Sequence, residues 1–515
     1  MIGGCPIPNV AEHPIKFLGR WIRAEAKDKE VIEQTFCDLS KYLTLLDKSK
    51  LSGIQKCWGY QFMILPKMKW PLAIYDFPIT KVVKMEQLVN KFLRKWLGVG
   101  HTLSKLCMLS KNSPVAIPLD GLVDVWKVEK VRLQQSLDYA RDEVVRRIKP
   151  EVRSGRIWSA RDELKNAEAD VRFEAVRGAV YTGKFQGLGY GDYVQPWEKL
   201  SKDDKNKAVM ARVKKNICCE NEVMLGSLEM QSRWGVWQDH VLSMDLSWQK
   251  MFQYGENLIG FCLAAVYGNI VTPGRAMLWS EGENGMCKLC ENEKGTIQHI
   301  LSGCKVALGQ GRYTWRHDKV LRKVGENVKY HIDKRVNGRK VTREDKICPI
   351  EFVRSGDDSA KGSVKKQYRL DLGFLKGARD WVLTVDLDKQ LKFPMEIAKT
   401  AVRPDLVIHS TTLKRVVWLE LTCPCEERIE DAHEYKLDKY TRLAAECEGN
   451  GWSCQNLAIE VGARGLVSQG FRSAMSKIGI RGRAFNRVKN DAAKESLFAS
   501  SWLYKLSSRK IWEKR

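Results

Sequence analysis

Hydrophobic side chains recur every three or four residues through much of the first 250 positions, which is the spacing of amphipathic helices. His13 to Ile22 reads as a short strand and turn, and Asp28 to Leu46 then takes up helical spacing. Val82, Met85, Leu88, Val89, Phe92 and Trp96 repeat it over Val82 to Trp96. Charged, helix-favouring runs follow at Val123 to Arg147 and Ser159 to Arg177, and Ser201 to Asn216 reads as a charged loop and helix. Residues 251–272 are apolar and punctuated by glycine, a buried helix too short to span a bilayer. From about residue 370 short apolar runs alternate with helical stretches, an α/β order. Trp381 to Leu387 is a strand, and Leu406 to Ser410 and Arg415 to Thr422 are the arms of a hairpin turning at Thr411 to Lys414. Glu426 to Cys447, free of Gly and Pro, reads as one helix.

The chain has 515 residues, more than one ordinary domain holds, and its 44% hydrophobic content is enough for real cores. A net charge of +25, spread along the chain, points to a polyanionic partner, nucleic acid above all. Fifteen cysteines without a secretory signal argue for a reducing, intracellular setting in which some cysteines bind metal. No membrane partner is expected. Trp58, Phe62, Leu65, Trp70 and Tyr75 lie among lysines, and the pattern favours a helical core over nucleotide stacking.

Two constellations carry chemistry. Cys287 and Cys290 are followed by His299 and Cys304, three thiolates and an imidazole within eighteen residues. That donor set closes a tetrahedral structural zinc site, with Ile297 and Ile300 packing on it and Gly285 and Gly303 permitting the tight backbone. The helix after it presents Arg312, Tyr313, Trp315, Arg316 and Lys319, a basic and aromatic candidate for nucleic-acid contact. The second constellation is the hairpin. If Ser410 faces Arg415, counting outward sets Asp405 opposite Glu420, about 4.5–5.5 Å apart at Cβ. Two acids that close repel unless they share a divalent cation, here Mg²⁺ or Mn²⁺, as metal-dependent phosphodiester hydrolysis requires. In the common restriction-enzyme pattern a lysine stands two residues after the second acid. That position is Thr422, so the lysine must come from the following helix, where Lys436, Lys439 and Tyr440 share a face. His409 and His433 read as packing or surface groups.

These motifs also carry a family resemblance. Phe17-Leu18-Gly19, Ile64-Leu65-Pro66, Trp70-Pro71 and Arg94 to Gly98 resemble the thumb of non-LTR retrotransposon reverse transcriptases. The Cys287 to Cys304 knuckle, RPDLVI, LELTCPCEE, YKLDKY and EVGARG (Glu460 to Gly465) resemble the later parts of the target-specific members, ending in a restriction-like endonuclease. The resemblance implies a multidomain chain. Residues 1–105 would be thumb-like and helical, 106–280 a basic helical linker, and 281–325 the knuckle and its helix. Residues 326–369 would be a polar linker and 370–515 an α/β domain with a PD-(D/E)xK core. It implies Asp405 and Glu420 as metal-binding acids, Lys436 and Lys439 as candidate catalytic lysines, and Glu460 and Tyr440 as supporting groups. The partners would be target DNA and element RNA, in the nucleus. The palm's aromatic-x-Asp-Asp signature is missing, so no polymerase activity is expected, and Met1 reads as an internal start or the edge of a truncated frame. Ala463 and Leu466 depart from the family pattern. The favoured reading is a DNA-nicking enzyme; the alternative is a catalytically inactive nucleic-acid-binding remnant.

Overall fold

The computed structural model describes residues 15–17, 20–22, 28–155, 157–185, 197–278, 284–337, 373–387 and 391–512. Most of the expected polar linker, 326–369, lies outside them. The described chain is mixed in class, predominantly helical with small sheets. It divides into two compact units, Met1–Trp234 with Met244–Ile270, and Gly235–Ser243 with Val271–Arg515. Among the described residues no helix is long and apolar enough to cross a membrane.

The first unit is built on helices whose apolar stripes face inward. In Lys29–Lys48 the buried positions are Ile32, Thr35, Leu39 and Leu43. In Ile79–Leu97 they include Val82, Met85, Val89, Leu93 and Trp96, and Gly98 ends the helix at φ +65°, where a residue without Cβ costs least. The Val123 to Arg147 run is not one helix. Leu122–Asp138 stops, and Glu143–Ile148 restarts beneath Asp142, whose carboxylate accepts the Val145 N–H. Lys202–Gly226 is helical throughout, capped by Ser201. Trp248–Val266 is kinked at Gly255. The reading of the early aromatics as core holds for Leu65 and Tyr75 only. Trp58, Phe62 and Trp70 are exposed, along a stretch where the π-helical turn Tyr60–Ile64 and Pro71 within Leu65–Ile74 interrupt regular α-helical spacing.

The second unit carries a four-stranded sheet ordered β1 (Val382–Val385), β2 (Leu406–Ser410), β3 (Arg415–Thr422), β4 (Ser453–Glu460). Strand β2 pairs antiparallel with both β1 and β3, and β4 lies parallel to β3. A parallel neighbour needs a crossover, and α2 (Ile429–Lys439) and α3 (Thr441–Gly449) supply it. They cover the sheet face that bears Val407, Val416 and Trp418, packing Tyr440, Leu443 and Cys447 onto it. The opposite face, at Val385 and Leu406, receives α1 (Arg312–His331), where Gly325 lets the helix close to van der Waals contact. Helix α4 (Gln469–Lys477) packs against β4, and α5 (Gly482–Lys505) lies along α1. The knuckle helix α1 is thus a layer of the same unit as the sheet.

The hairpin turn has the register expected of it. Ser410 faces Arg415 and Leu406 faces Leu419, so Asp405, next outward, comes level with Glu420. Asp380, just before β1, fixes this turn: its carboxylate accepts the Ser410 hydroxyl at 2.6 Å, the Thr411 hydroxyl at 3.1 Å and the Thr412 N–H at 3.0 Å. The expected single helix Glu426 to Cys447 is instead a short turn, Glu426–Arg428, then α2 and α3, with a break at Tyr440 (φ −103°, ψ 4°). Propensity gave no warning of that break. The Tyr440 side chain is drawn wholly inward, its hydroxyl anchored on the sheet, and the backbone bends to allow it.

A candidate zinc centre and a carboxylate–lysine cleft

The four expected zinc ligands converge. The Sγ atoms of Cys287, Cys290 and Cys304 and a ring nitrogen of His299 all lie within 4.8 Å of one another, as a tetrahedral site with bonds of about 2.0–2.3 Å requires. A tight hairpin builds the first half, with the Cys287 N–H donating to the Glu293 carbonyl and the Glu291 N–H to the Cys287 carbonyl. His299 and Cys304 bracket one helical turn. Gly285 sits at φ +68°, as the reading of a tight backbone asks. Gly303 has no such requirement: its backbone is ordinary and a Cβ there would meet only normal contacts. Glu293 lies 3.0 Å from His299 Nδ1, which holds the ring so that Nε2, 3.3 Å from Cys290 Sγ, faces the thiols. Burial works against the Cys290 thiolate, but the Asn292 and Glu293 N–H groups and His299 outweigh it and bring the thiol down to about 7. The group can hold zinc, and a carboxylate behind the imidazole is the usual companion of such a ligand.

The second site grows from the hairpin. Glu420, on β3, is buried on the face covered by α2 and α3, while Asp405 stands just before β2, at the end of that inner strand. The Asp405 N–H donates to Glu420 Oε2 at 3.2 Å, and Asp405 Oδ2 accepts the Leu421 N–H at 2.7 Å. Both lysines of α2 reach the same acid: Lys436 Nζ lies 2.5 Å and Lys439 Nζ 3.3 Å from Glu420 Oε1. Tyr440 donates to Glu420 Oε2 at 2.7 Å and accepts from Lys439 at 3.0 Å. Burial, and then the Glu420 charge, push the Tyr440 phenol far above its usual range, so it stays a donor. Helix α2 thus turns both lysines toward the acid on β3. Asp405, Glu420, Lys436 and Lys439 line an open cleft of about 420 Å³, together with His317, Asp318, Asp386 and Arg403.

His317 escaped the sequence reading. Its Nε2 lies 3.3 Å from Asp405 Oδ2 and its Nδ1 3.1 Å from Asp318. Burial disfavours its charge, but the bonds to Asp318 and Asp405 prevail and hold the imidazolium well above its normal range. Nothing near His317 in sequence announces this, because Asp405 is brought to it only by the packing of α1 on the sheet. Asp386, at the end of β1, was likewise passed over as a strand residue; its N–H donates to the Asp405 carbonyl.

Arg312 and Arg316, basic in sequence, are not exposed for the expected nucleic-acid contact: each is only 1% exposed. Arg312 donates to the Leu506 and Arg509 carbonyls, and Arg316 to the Leu301 and Cys423 carbonyls and to Ser500. Buried guanidinium groups persist when acceptors meet them in this way, as they do for the terminal nitrogens of both side chains, although Arg316 Nε is left without an acceptor. Trp315 is also buried, and the Tyr313 hydroxyl is engaged by the His299 and Ile300 carbonyls and the Cys304 N–H. Of the five only Lys319 remains partly exposed without such a buried role. Glu460, expected to support the two acids, points elsewhere. Ser468 donates to it at 2.6 Å and His433 meets it at 2.7 Å, a buried cluster apart from the cleft.

The EVGARG segment is structural as well. Arg464 is buried and forked onto Glu426 and Glu427 at 2.8–2.9 Å. Gly462 is required there, since a Cβ would fall 2.1 Å from Glu426 Oε1. Ala463 and Leu466 are fully buried beside it. Neither a protein-family model nor a curated protein matches this sequence.

Proposed function

We propose that this chain is a divalent-metal-dependent DNA endonuclease of retrotransposon origin, built on a restriction-like core with its lysine on a helix. The observation that carries the reading is the meeting of Asp405 and Glu420 at one edge of adjacent strands, with Lys436 from α2 at 2.5 Å from Glu420. A pair of buried or half-buried acids needs cations, and here two ammonium groups, a phenol and an imidazolium converge on them. The donor set suits Mg²⁺ or Mn²⁺: hard carboxylate oxygens at an open cleft wide enough for a phosphate and its waters. Asp405 and Glu420 are the residues that would hold the ion. Bound there, such an ion would polarise a phosphodiester and lower the pKa of an attacking water.

The protein's own groups have distinct tasks. Glu420, locked by Tyr440 and the Asp405 N–H, keeps its carboxylate fixed in orientation. Lys436 and Lys439 place positive charge where the phosphorane oxygens become more negative. Arg403, on the cleft wall, and the overall charge of +25 favour a polyanionic substrate. The zinc centre fits a structural role, and chromosomal DNA and element RNA, met in the nucleus, are the partners that this reading proposes.

The test is incubation of the full chain with supercoiled plasmid and Mg²⁺ or Mn²⁺. Relaxed circles should appear with the wild type and vanish with Asp405→Ala and Glu420→Ala. Nicking that persists in both variants, or that never occurs, would overturn the enzymatic reading and leave a nucleic-acid-binding remnant.

A further inference from the structure

Helix α1 joins the two sites through a short series of buried bonds. Tyr313 clasps the zinc turn, meeting the His299 and Ile300 carbonyls at 3.1 and 3.0 Å and the Cys304 N–H at 3.1 Å. One turn further, Arg316 spans from the Leu301 carbonyl (2.8 Å), inside the zinc turn, to the Cys423 carbonyl (2.7 Å), three residues beyond Glu420. Ser302, from the same turn, meets the Cys425 thiol at 3.3 Å. The residue after Arg316 is His317, whose ring lies between Asp318 and Asp405. The chain leaving β3 is therefore pinned to the zinc turn at two points, and the imidazole beside Asp405 stands on the helix that does the pinning.

We propose that the zinc centre is the mount of the carboxylate cleft, and that His317 is a positioning residue which orients Asp405 for its divalent ion. The inference rests on the nuclease reading and deepens it. His317 holds Asp405 Oδ2 from one side while the Leu421 N–H holds it from the other, leaving Oδ1 for the ion. A group that orients a ligating carboxylate typically changes metal affinity about 10–100-fold when removed. Without zinc the turn from His299 to Cys304 loses its closure, Arg316 loses a fixed acceptor, and α1 no longer sets the height of His317 over Asp405.

The experiment measures Mn²⁺ binding to the zinc-loaded full chain by the loss of the free-ion EPR signal, without DNA. Asp405→Ala should abolish high-affinity binding. His317→Ala should weaken it about ten-fold, and His317→Gln, whose amide can still donate to Asp405, should restore it to within a few-fold. Arg316→Lys, able to reach one carbonyl but not both, should fall between wild type and His317→Ala. Zinc-stripped protein that keeps its helical circular dichroism should bind Mn²⁺ as weakly as His317→Ala; should stripping unfold the chain, the His317 variants decide. Equal Mn²⁺ affinity in wild type, His317→Ala and folded zinc-free protein, with Asp405→Ala still inactive in binding, overturns this inference alone. Binding unaffected by Asp405→Ala overturns the nuclease reading and this inference with it.

Discussion

The two lysines of α2 are not equivalent. Lys436 approaches Glu420 to 2.5 Å with its side chain 19% exposed, whereas Lys439 stands at 3.3 Å, is 40% exposed and also serves Tyr440. A charge is worth more where water screens it less. Lys436→Ala should therefore reduce the nicking rate about 100-fold, the range of a single electrostatic contact to a transition state, and Lys439→Ala should reduce it less. Single-turnover nicking assays separate the two, and equal losses would contradict this ranking. His433 offers a pH signature away from the cleft. Its contact with Glu460 raises its pKa above the ordinary imidazole value, with burial opposing. A raised folded pKa means that stability from the pair is complete below about pH 6.5 and is lost as pH rises through the folded value. Denaturant unfolding of wild type against His433→Gln should show a gap below about pH 6 that closes as pH rises past the raised folded value. Partial exposure keeps that gap to about 1 kcal/mol or less.

Among elements, the hairpin and the broken helix decide the cleft. Asp380 ties three donors of the turn at Ser410, Thr411 and Thr412, and these bonds hold its carboxyl well below the usual range even though desolvation pulls the other way. Asp380→Ala removes all three acceptor contacts and should lower stability by about 1–3 kcal/mol, read from the midpoint of urea unfolding. Because a one-residue slip in register would turn Glu420 to the other face, the same variant should lose more nicking activity than its stability loss explains. The break at Tyr440 acts on the other side of the sheet. It lets α2 present its lysines at the sheet edge while α3 continues over Trp418 with Leu443 and Cys447. Trp418→Ala should cost about 3–5 kcal/mol, since its ring packs within 6.4 Å of both Phe393 and Tyr440.

At the scale of the molecule, the second unit combines the turn that can hold zinc, a sheet and two long packed helices in one body. One Zn²⁺ per chain is the expected content by elemental analysis, and Cys287→Ser should lose it. Chelation should lower the unfolding temperature of this unit, since binding energy at a structural zinc site is folding energy. The net charge of +25 should make DNA binding steeply salt-dependent, with affinity falling about 10³–10⁵-fold between 50 and 200 mM salt if six to ten phosphates are contacted. Fluorescence anisotropy with a duplex probe measures that slope, and a flat response would rule out the phosphate backbone as the principal contact.

Local pattern determined a good deal. The zinc ligands were legible because all four fall within one short segment, and the hairpin register because turn length and alternation fix it. The helical spacing of Ile79–Leu97 needed nothing beyond its own sequence. The lysines on α2 could be named from the vacancy at Thr422, although their approach to Glu420 depends on how the crossover helix lies on the sheet. Tertiary structure alone decided the rest. Arg312 and Arg316 look like surface charge in sequence, but helix α5 and the zinc turn bury them against carbonyl groups distant in the chain. His317 becomes part of the cleft because α1 crosses the sheet at Asp405, 88 positions later. Glu460 leaves it because Ser468 and His433 supply a nearer set of partners. Periodicity reports which face of an element is apolar. It does not report which distant backbone will meet the polar groups on that face, and in this protein that meeting assembles the site.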